Sequence, residues 1–194
     1  MKSSVLCLII FLQCVGCAAL NPNSSEDYFT EGVFCFKEKN FNSALTYFKK
    51  SFEADNNNIE ALFMVSATYW ILTDYESAIV YSEQCLKIDK DNADCISVCA
   101  DSYLSSKQFY SAIEKYKLLI SYEPKSTNRM YKDKSSALNF MGLAYGFTGD
   151  WSNALSAFSE CKNLHVNLPE SKKTVKDCNE MYKVSLKEVK KRNR

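Results

Sequence analysis

Glycine and proline are scarce, at five and three of 194 residues. That scarcity excludes turn-rich sandwiches and barrels and favours helices. Histidine occurs once, as His165, which removes most imidazole-based catalysis. No Gly-rich loop able to cradle a phosphate is found. Net charge is small, +1 from 24 basic and 23 acidic residues, so overall charge gives no case for nucleic acid. An apolar stretch of the roughly 20 residues that a spanning helix wants is also missing. What remains is 46% apolar and 24% charged, the balance of a folded domain or a short repeat array rather than a disordered chain.

Residues 1–20 read MKSSVLCLIIFLQCVGCAAL. Lys2 supplies a positive start, Val5–Leu12 is an unbroken apolar run, and Gly16-Cys17-Ala18-Ala19 are small. Charge, apolar core and small cleavage site follow in the order of a secretory signal, so residues 1–19 are expected to be a signal segment. Val15-Gly16-Cys17 resembles a bacterial lipobox. That resemblance implies lipid on Cys17 and a cell-envelope lipoprotein, with residues 20–24 as a tether. Ordinary cleavage after Ala18 or Ala19 would instead give a soluble secreted protein. In a eukaryotic host Asn23-Ser24-Ser25 would be a glycosylation acceptor.

The body has an internal period of 34 residues. Set one above another, residues 25–58, 59–92, 93–126 and 135–168 carry the same chemistry in the same columns. The last unit follows an eight-residue insertion, 127–134. One small column is Ala44, Ala78, Ala112 and Ala154, and a second is Gly32, Ser66, Ala100 and Gly142. An aromatic stands three residues before each Ala: Phe41, Tyr75, Phe109 and Trp151. Cys35, Tyr69, Tyr103 and Tyr145 follow the second column, and Phe48, Ser82, Tyr116 and Phe158 follow the first. Lys39-Asn40, Thr73-Asp74 and Gly149-Asp150 interrupt the apolar pattern where a hairpin would turn. Small residues in paired columns let two helix backbones approach, with aromatics filling the space beside them.

This pattern resembles the tetratricopeptide repeat (TPR), a helix–turn–helix of 34 residues. The resemblance covers residues 25–168. It implies an all-α, right-handed α-solenoid of four units, and stacking is needed because no unit buries both its faces alone. Residues 169–194 should add a C-terminal capping helix. Val175, Cys178, Tyr182, Leu186 and Val189 form its apolar stripe, and the rest is Lys-rich. Residues 172–194 hold nine Lys/Arg and three Asp/Glu. Such a basic end is a solvated helix terminus favoured by the helix dipole, or a contact for anionic lipid or a partner. The insertion is expected to extend the first helix of the fourth unit.

Nine cysteines are many for this length. Six lie in the body, where free Cys commonly serves as a small buried hydrophobe. Export would permit disulfides, and Cys85–Cys99 or Cys85–Cys95 would join neighbouring units. Cys95-x3-Cys99 and Cys161-x3-His165 each set two ligand-type side chains one turn apart. They belong to helices that stacked hairpins hold apart, so no metal and no cofactor is expected. Neither an orienting carboxylate nor an oxyanion donor accompanies Cys161 and His165, so no enzyme is expected either.

Stacked helix pairs leave a concave face, which in similar proteins is lined by the first helix of each unit. Carried over by register, that face comprises Glu26, Phe29, Val33 and Phe36, then Glu60, Phe63, Ala67 and Trp70. It continues through Asp94, Ser97, Asp101 and Leu104 to Ser136, Asn139, Leu143 and Gly146. Phe29, Phe36, Phe63 and Trp70 are expected to lie outside the hairpin core and to form a contact patch. The Lys/Asn clamp of chaperone-binding relatives is absent, since Phe29 and Val33 hold its opening columns. The resulting expectation is a non-catalytic scaffold that captures a protein segment in the groove, near a membrane through the lipid. The alternative is a structural subunit that uses the same surface to oligomerise within an envelope or secretion assembly.

Overall fold

A computed structural model describes residues 24–121, 134–164 and 169–192, with the side chains of 169–172 excepted. The signal segment, Cys17, nearly all of the tether and of the 127–134 insertion, Pro124 and His165 lie outside the described residues. Nine helices are described: α1 Ser25–Lys37, α2 Phe41–Ala54, α3 Ile59–Ile71, α4 Tyr75–Ile88, α5 Ala93–Ser105, α6 Phe109–Ser121, α7 Lys134–Thr148, α8 Trp151–Lys162 and α9 Pro169–Arg192. No strand occurs among the described residues. Each helix packs on the next, giving four hairpins in register with the period, and α9 closes the stack against α8 and α7.

The turns explain why the pattern breaks where it does. Lys39, Thr73, Lys107 and Gly149 all have positive φ, between 60° and 78°. Around each, two amides return to the preceding helix. Asn40 N donates to Cys35 O, Asp74 N to Tyr69 O, Gln108 N to Tyr103 O and Asp150 N to Tyr145 O. These bonds satisfy carbonyls that a helix end would otherwise leave open. The following residue then starts the second helix. Asn40, Asp74 and Asp150 each accept an amide three residues on, and Asn58 and Asn92 do the same for α3 and α5. Ser24 and Asp27 form a capping box on α1. One short polar stretch therefore ends one helix and begins another.

Within a hairpin, the two helices meet at the paired columns. A Cβ placed on Gly32 would lie 2.6 Å from the Phe48 ring, and one on Gly142 would lie 2.7 Å from the Phe158 ring. Both rings are fully buried or nearly so. The third unit pairs Ala100 with Tyr116. The second pairs Ser66 with Ser82, whose hydroxyls turn back to Phe63 O and Ile79 O. Where an aromatic is present its partner is Gly or Ala; where both are small, each hydroxyl is satisfied by its own helix.

A further column recurs near the end of each second helix: Ser51, Cys85, Leu119 and Cys161, all buried. Ser51 exchanges hydrogen bonds with Ser25, and Asn58 donates to both hydroxyls. Cys85 is disulfide-bonded to Cys95 of the next unit, which decides between the two expected pairings. Cys161 is disulfide-bonded to Cys178 of α9, a bond the sequence pattern did not indicate. Two cysteines of one repeat column thus each tie their unit to the element that follows. Chain-entropy arguments put each bond at about 3 kcal/mol. Both bonds also consume thiols of the Cys95/Cys99/Cys161/His165 set, so those residues cannot together ligate a metal. Cys35 and Cys99 are buried thiols outside the two disulfides.

Two glycines of α7 provide a test. Gly142→Ala must displace the Phe158 ring, whereas a Cβ on Gly146 meets Trp151 at an ordinary 3.4 Å. Overpacking costs about 1–3 kcal/mol, and Ala gains up to about 1 kcal/mol over Gly in a helix. The urea midpoint should fall for Gly142→Ala and hold or rise for Gly146→Ala. Equal midpoints would show that the ring relaxes freely.

Candidate binding groove

The first helices of the four hairpins are α1, α3, α5 and α7. Those of the second and third units, α3 and α5, touch each other directly, which puts the first helices on the short, inner side of the stack. The residues expected on this side divide into three kinds. Glu26 and Glu60 are exposed, while Val33, Leu104, Ser136 and Leu143 are half-buried. Trp70 is 39% exposed and is the most open large side chain of the set. The second kind fills the core. Phe63 and Ala67 are buried at 5% and 3% exposure in the apolar cluster shared by the second and third units. Phe29 and Phe36 lean on the Phe48 ring at 5.6 and 6.4 Å between centroids. The expectation that these phenylalanines stand outside the hairpin core is therefore corrected. Phe63 belongs to the core, and Phe29 and Phe36 are half-buried beside it.

The third kind is polar and held in place. Asp94 and Ser97 are buried. Asp101 accepts a 2.6 Å hydrogen bond from the Tyr116 hydroxyl. Burial, and then the negative charge of Asp101, push the Tyr116 phenol well above its ordinary range. Asn139 is half-buried, and its Oδ1 lies out of solvent with no hydrogen-bond partner among the described residues. Gly146 sits beneath the Trp151 ring. The inner side therefore offers an open indole, half-buried aliphatic and phenyl side chains, exposed carboxylates at Glu26 and Glu60, and a polar strip from Asp94 to Asn139 in which Asp101 is held by Tyr116.

A repeated polar contact joins the units, and sequence reasoning missed it. Lys49 donates to the Tyr69 hydroxyl at 2.6 Å, and its ammonium lies over the Tyr69 and Tyr81 rings at 4.9 and 5.2 Å. One period on, Glu83 takes the place of Lys49 and accepts from the Tyr103 hydroxyl at 3.2 Å. After the next period Lys117 faces Tyr145. Each residue follows the Ala column by five places, and each tyrosine follows the second small column by three. The column spacing could have revealed the rung.

Electrostatics at these rungs follow from burial and partner. Burial would lower the Lys49 pKa, but its contacts with Tyr69 and Tyr81 outweigh this and hold it above the ordinary value. Burial would raise the Glu83 carboxyl. Lys115, at 2.7 Å, more than offsets that, with help from Cys99 and Tyr103, and keeps it below the usual range. Cys99 is pushed up to about 12, chiefly by burial, so its thiol stays protonated and inert. Tyr103 is pushed up to about 12 by burial and its neighbours.

Comparison with known proteins agrees with this architecture. Residues 59–92 match a family model described as tetratricopeptide repeat. Among solved structures, MamA 41-end from Desulfovibrio magneticus RS-1 is 18% identical, with a TM-score of 0.68 over 90% of this chain and 94% of that one. YrrB, described as a TPR protein with an unusual peptide-binding site, is 17% identical, with a TM-score of 0.68 over 95% and 84%. The first TPR of Spaghetti (RPAP3), bound to the HSP90 peptide SRMEEVD, is 14% identical, with a TM-score of 0.57 over 67% and 99%. At such identities the likeness shows the fold. No curated protein matches the sequence.

The Glu83–Lys115 pair makes a pH prediction. A carboxyl whose folded pKa is depressed contributes stability above its unfolded value and loses it as pH falls through the folded value. Lys115→Met removes the attraction and leaves burial in control. Its urea midpoint should lie below wild type at pH 7, and the gap should close as pH drops below the ordinary carboxylate range. A gap independent of pH would assign the loss to packing of the Lys115 stem alone.

Proposed function

We propose that this chain, a tetratricopeptide-repeat protein, is a non-catalytic scaffold that captures a protein segment along its inner side. The observation that carries this reading is Trp70. It stands 39% exposed in the column between Phe36 and Leu104, on a helix that buries Phe63, Ser66 and Ala67. An indole left open above a rigid core is a typical binding anchor, and a rigid anchor spares the ordering cost that flexible surfaces incur. Phe29, Val33 and Phe36 extend the apolar surface toward one end, and half-buried Asp101 and Asn139 supply polar contacts toward the other. Exposed Glu26 and Glu60 favour a segment with aliphatic or aromatic anchors and some Lys or Arg.

The same proposal places the protein outside the reducing cytosol, held to a membrane by lipid on Cys17. Disulfides persist where the compartment is oxidising, and both here join one structural unit to the next. The apolar run at Val5–Leu12 and the lipobox-like Val15-Gly16-Cys17 fit export and acylation.

Trp70→Ala combined with Leu104→Ala removes open groove side chains and spares buried Phe63. Capture of the native partner from its own membrane fraction should fall at least about thirtyfold, the equivalent of roughly 2 kcal/mol for an anchor, with helicity unchanged. Undiminished capture would refute the groove. Light scattering on the purified chain separates a monomeric binder from a subunit that uses this surface on itself. Mass spectrometry of the mature protein should find a lipid-bearing N-terminal Cys17. An unmodified terminus at Ala19 or Leu20 would establish simple secretion instead.

A further inference from the structure

The stack ends in a helix with an unusual distribution of charge. Cys178 and Ser185 of α9 are fully buried, Cys178 is bonded to α8, and Arg192 Nη1 donates to Gly149 O at 2.9 Å. These contacts fix the rotation of the helix about its axis. On the opposite side stand Lys173, Lys176, Lys183, Lys187, Lys190 and Lys191, all exposed. At 100° per residue they fall within an arc of roughly 100° centred opposite Ser185, and they span about 27 Å along the axis. Within that arc the only acid is Glu180, which is paired with Lys183 at 2.8 Å. Asp177 and Glu188 lie toward the flanks. Lys187, Lys190 and Lys191 have no ion pair among the described residues. Val184, 47% exposed, lies at the edge of the stripe. Residues 172–194 carry a net charge of +6 and the rest of the chain −5.

Packing does not require this arrangement. A cap needs a polar outer face, which mixed charges satisfy at lower electrostatic cost. Lining one side of a helix with lysines is unfavourable to the isolated fold, because neighbours three and four apart repel.

We propose that the outer face of α9 is a docking surface for an anionic lipid bilayer. A stripe that runs the length of a long helix can meet a flat surface at every turn, whereas it offers a globular partner only a line. The charges are ammonium groups on flexible stems, suited to many interchangeable phosphates rather than to one oriented ligand. Their stems can lie along the interface with Val184 while the heads reach the headgroups. The stripe has no free aromatic platform for nucleic-acid bases, since Tyr182 is turned to Lys162, 3.8 Å from its ring centroid. This surface lies on the terminal helix and does not depend on the groove, so failure of one proposal leaves the other standing.

The test is co-sedimentation of the full chain, made without lipid modification, with vesicles. One set is phosphatidylcholine alone and the other contains about 30% phosphatidylglycerol. The apolar N-terminal run and Lys2 are common to wild type and a stripe variant, so the change in preference between the two proteins reads the charged stripe. Partitioning should be at least tenfold stronger on the anionic vesicles and should weaken as salt is raised. A variant with Lys183, Lys187, Lys190 and Lys191 all changed to Gln keeps helix propensity. It should lose that difference while retaining the circular dichroism of wild type. Equal partitioning of wild type on the two vesicles would overturn the proposal, as would an undiminished preference in the variant. Displacement by millimolar inorganic phosphate at constant ionic strength would indicate a discrete phosphate site and overturn it as well. Equally strong, stripe-dependent capture of polyglutamate would make the partner an acidic polypeptide.

Discussion

The closeness of two helix backbones governs this molecule. At Gly32 and Gly142 there is no room for even one carbon beyond Cα, because the Phe48 and Phe158 rings occupy it. That approach fixes the angle within a hairpin, and a repeated angle makes successive hairpins superimposable. Once they superimpose, the same positions meet at every border. Ser51, Cys85, Leu119 and Cys161 then become one column facing the next element. The Lys49–Tyr69 and Glu83–Tyr103 rungs recur for the same reason.

The period made most of the fold legible in the sequence. Turn positions could be read from Lys39-Asn40, Thr73-Asp74 and Gly149-Asp150 because such residues end one helix and cap another. The apolar stripe of α9 was readable because a helix packed on one side must show it. The site was less legible. Helix α3 is apolar nearly all round, so its sequence cannot say which side is inward. Register assigned Phe63 and Ala67 to the groove, and packing assigned them to the core. Phe29 and Phe36 divide between core and surface, since leaning on the Phe48 ring is a property of angle and not of spacing. The Cys161–Cys178 bond was hidden because Cys178 lies outside the repeat, where no column predicts its neighbour.

Electrostatic organisation follows the geometry. Lys49 and Glu83, both partly buried, have named partners: Lys49 has its two tyrosines, and Glu83 has Lys115 and Tyr103. They join units rather than residues of one helix, and so help to set the relation between hairpins. Exposed charge is mixed over the repeats, whereas α9 gathers lysines along its outer face. A chain nearly neutral as a whole thus concentrates its positive charge at one end.

The two disulfides are unevenly distributed along the stack. One joins the second hairpin to the third and the other joins the fourth to α9, while Ser51 and Leu119 mark borders closed only by noncovalent contact. Under mechanical load the array would therefore part at the first-to-second and third-to-fourth seams. It would yield as three blocks in series, with the short segments between paired cysteines shielded from extension.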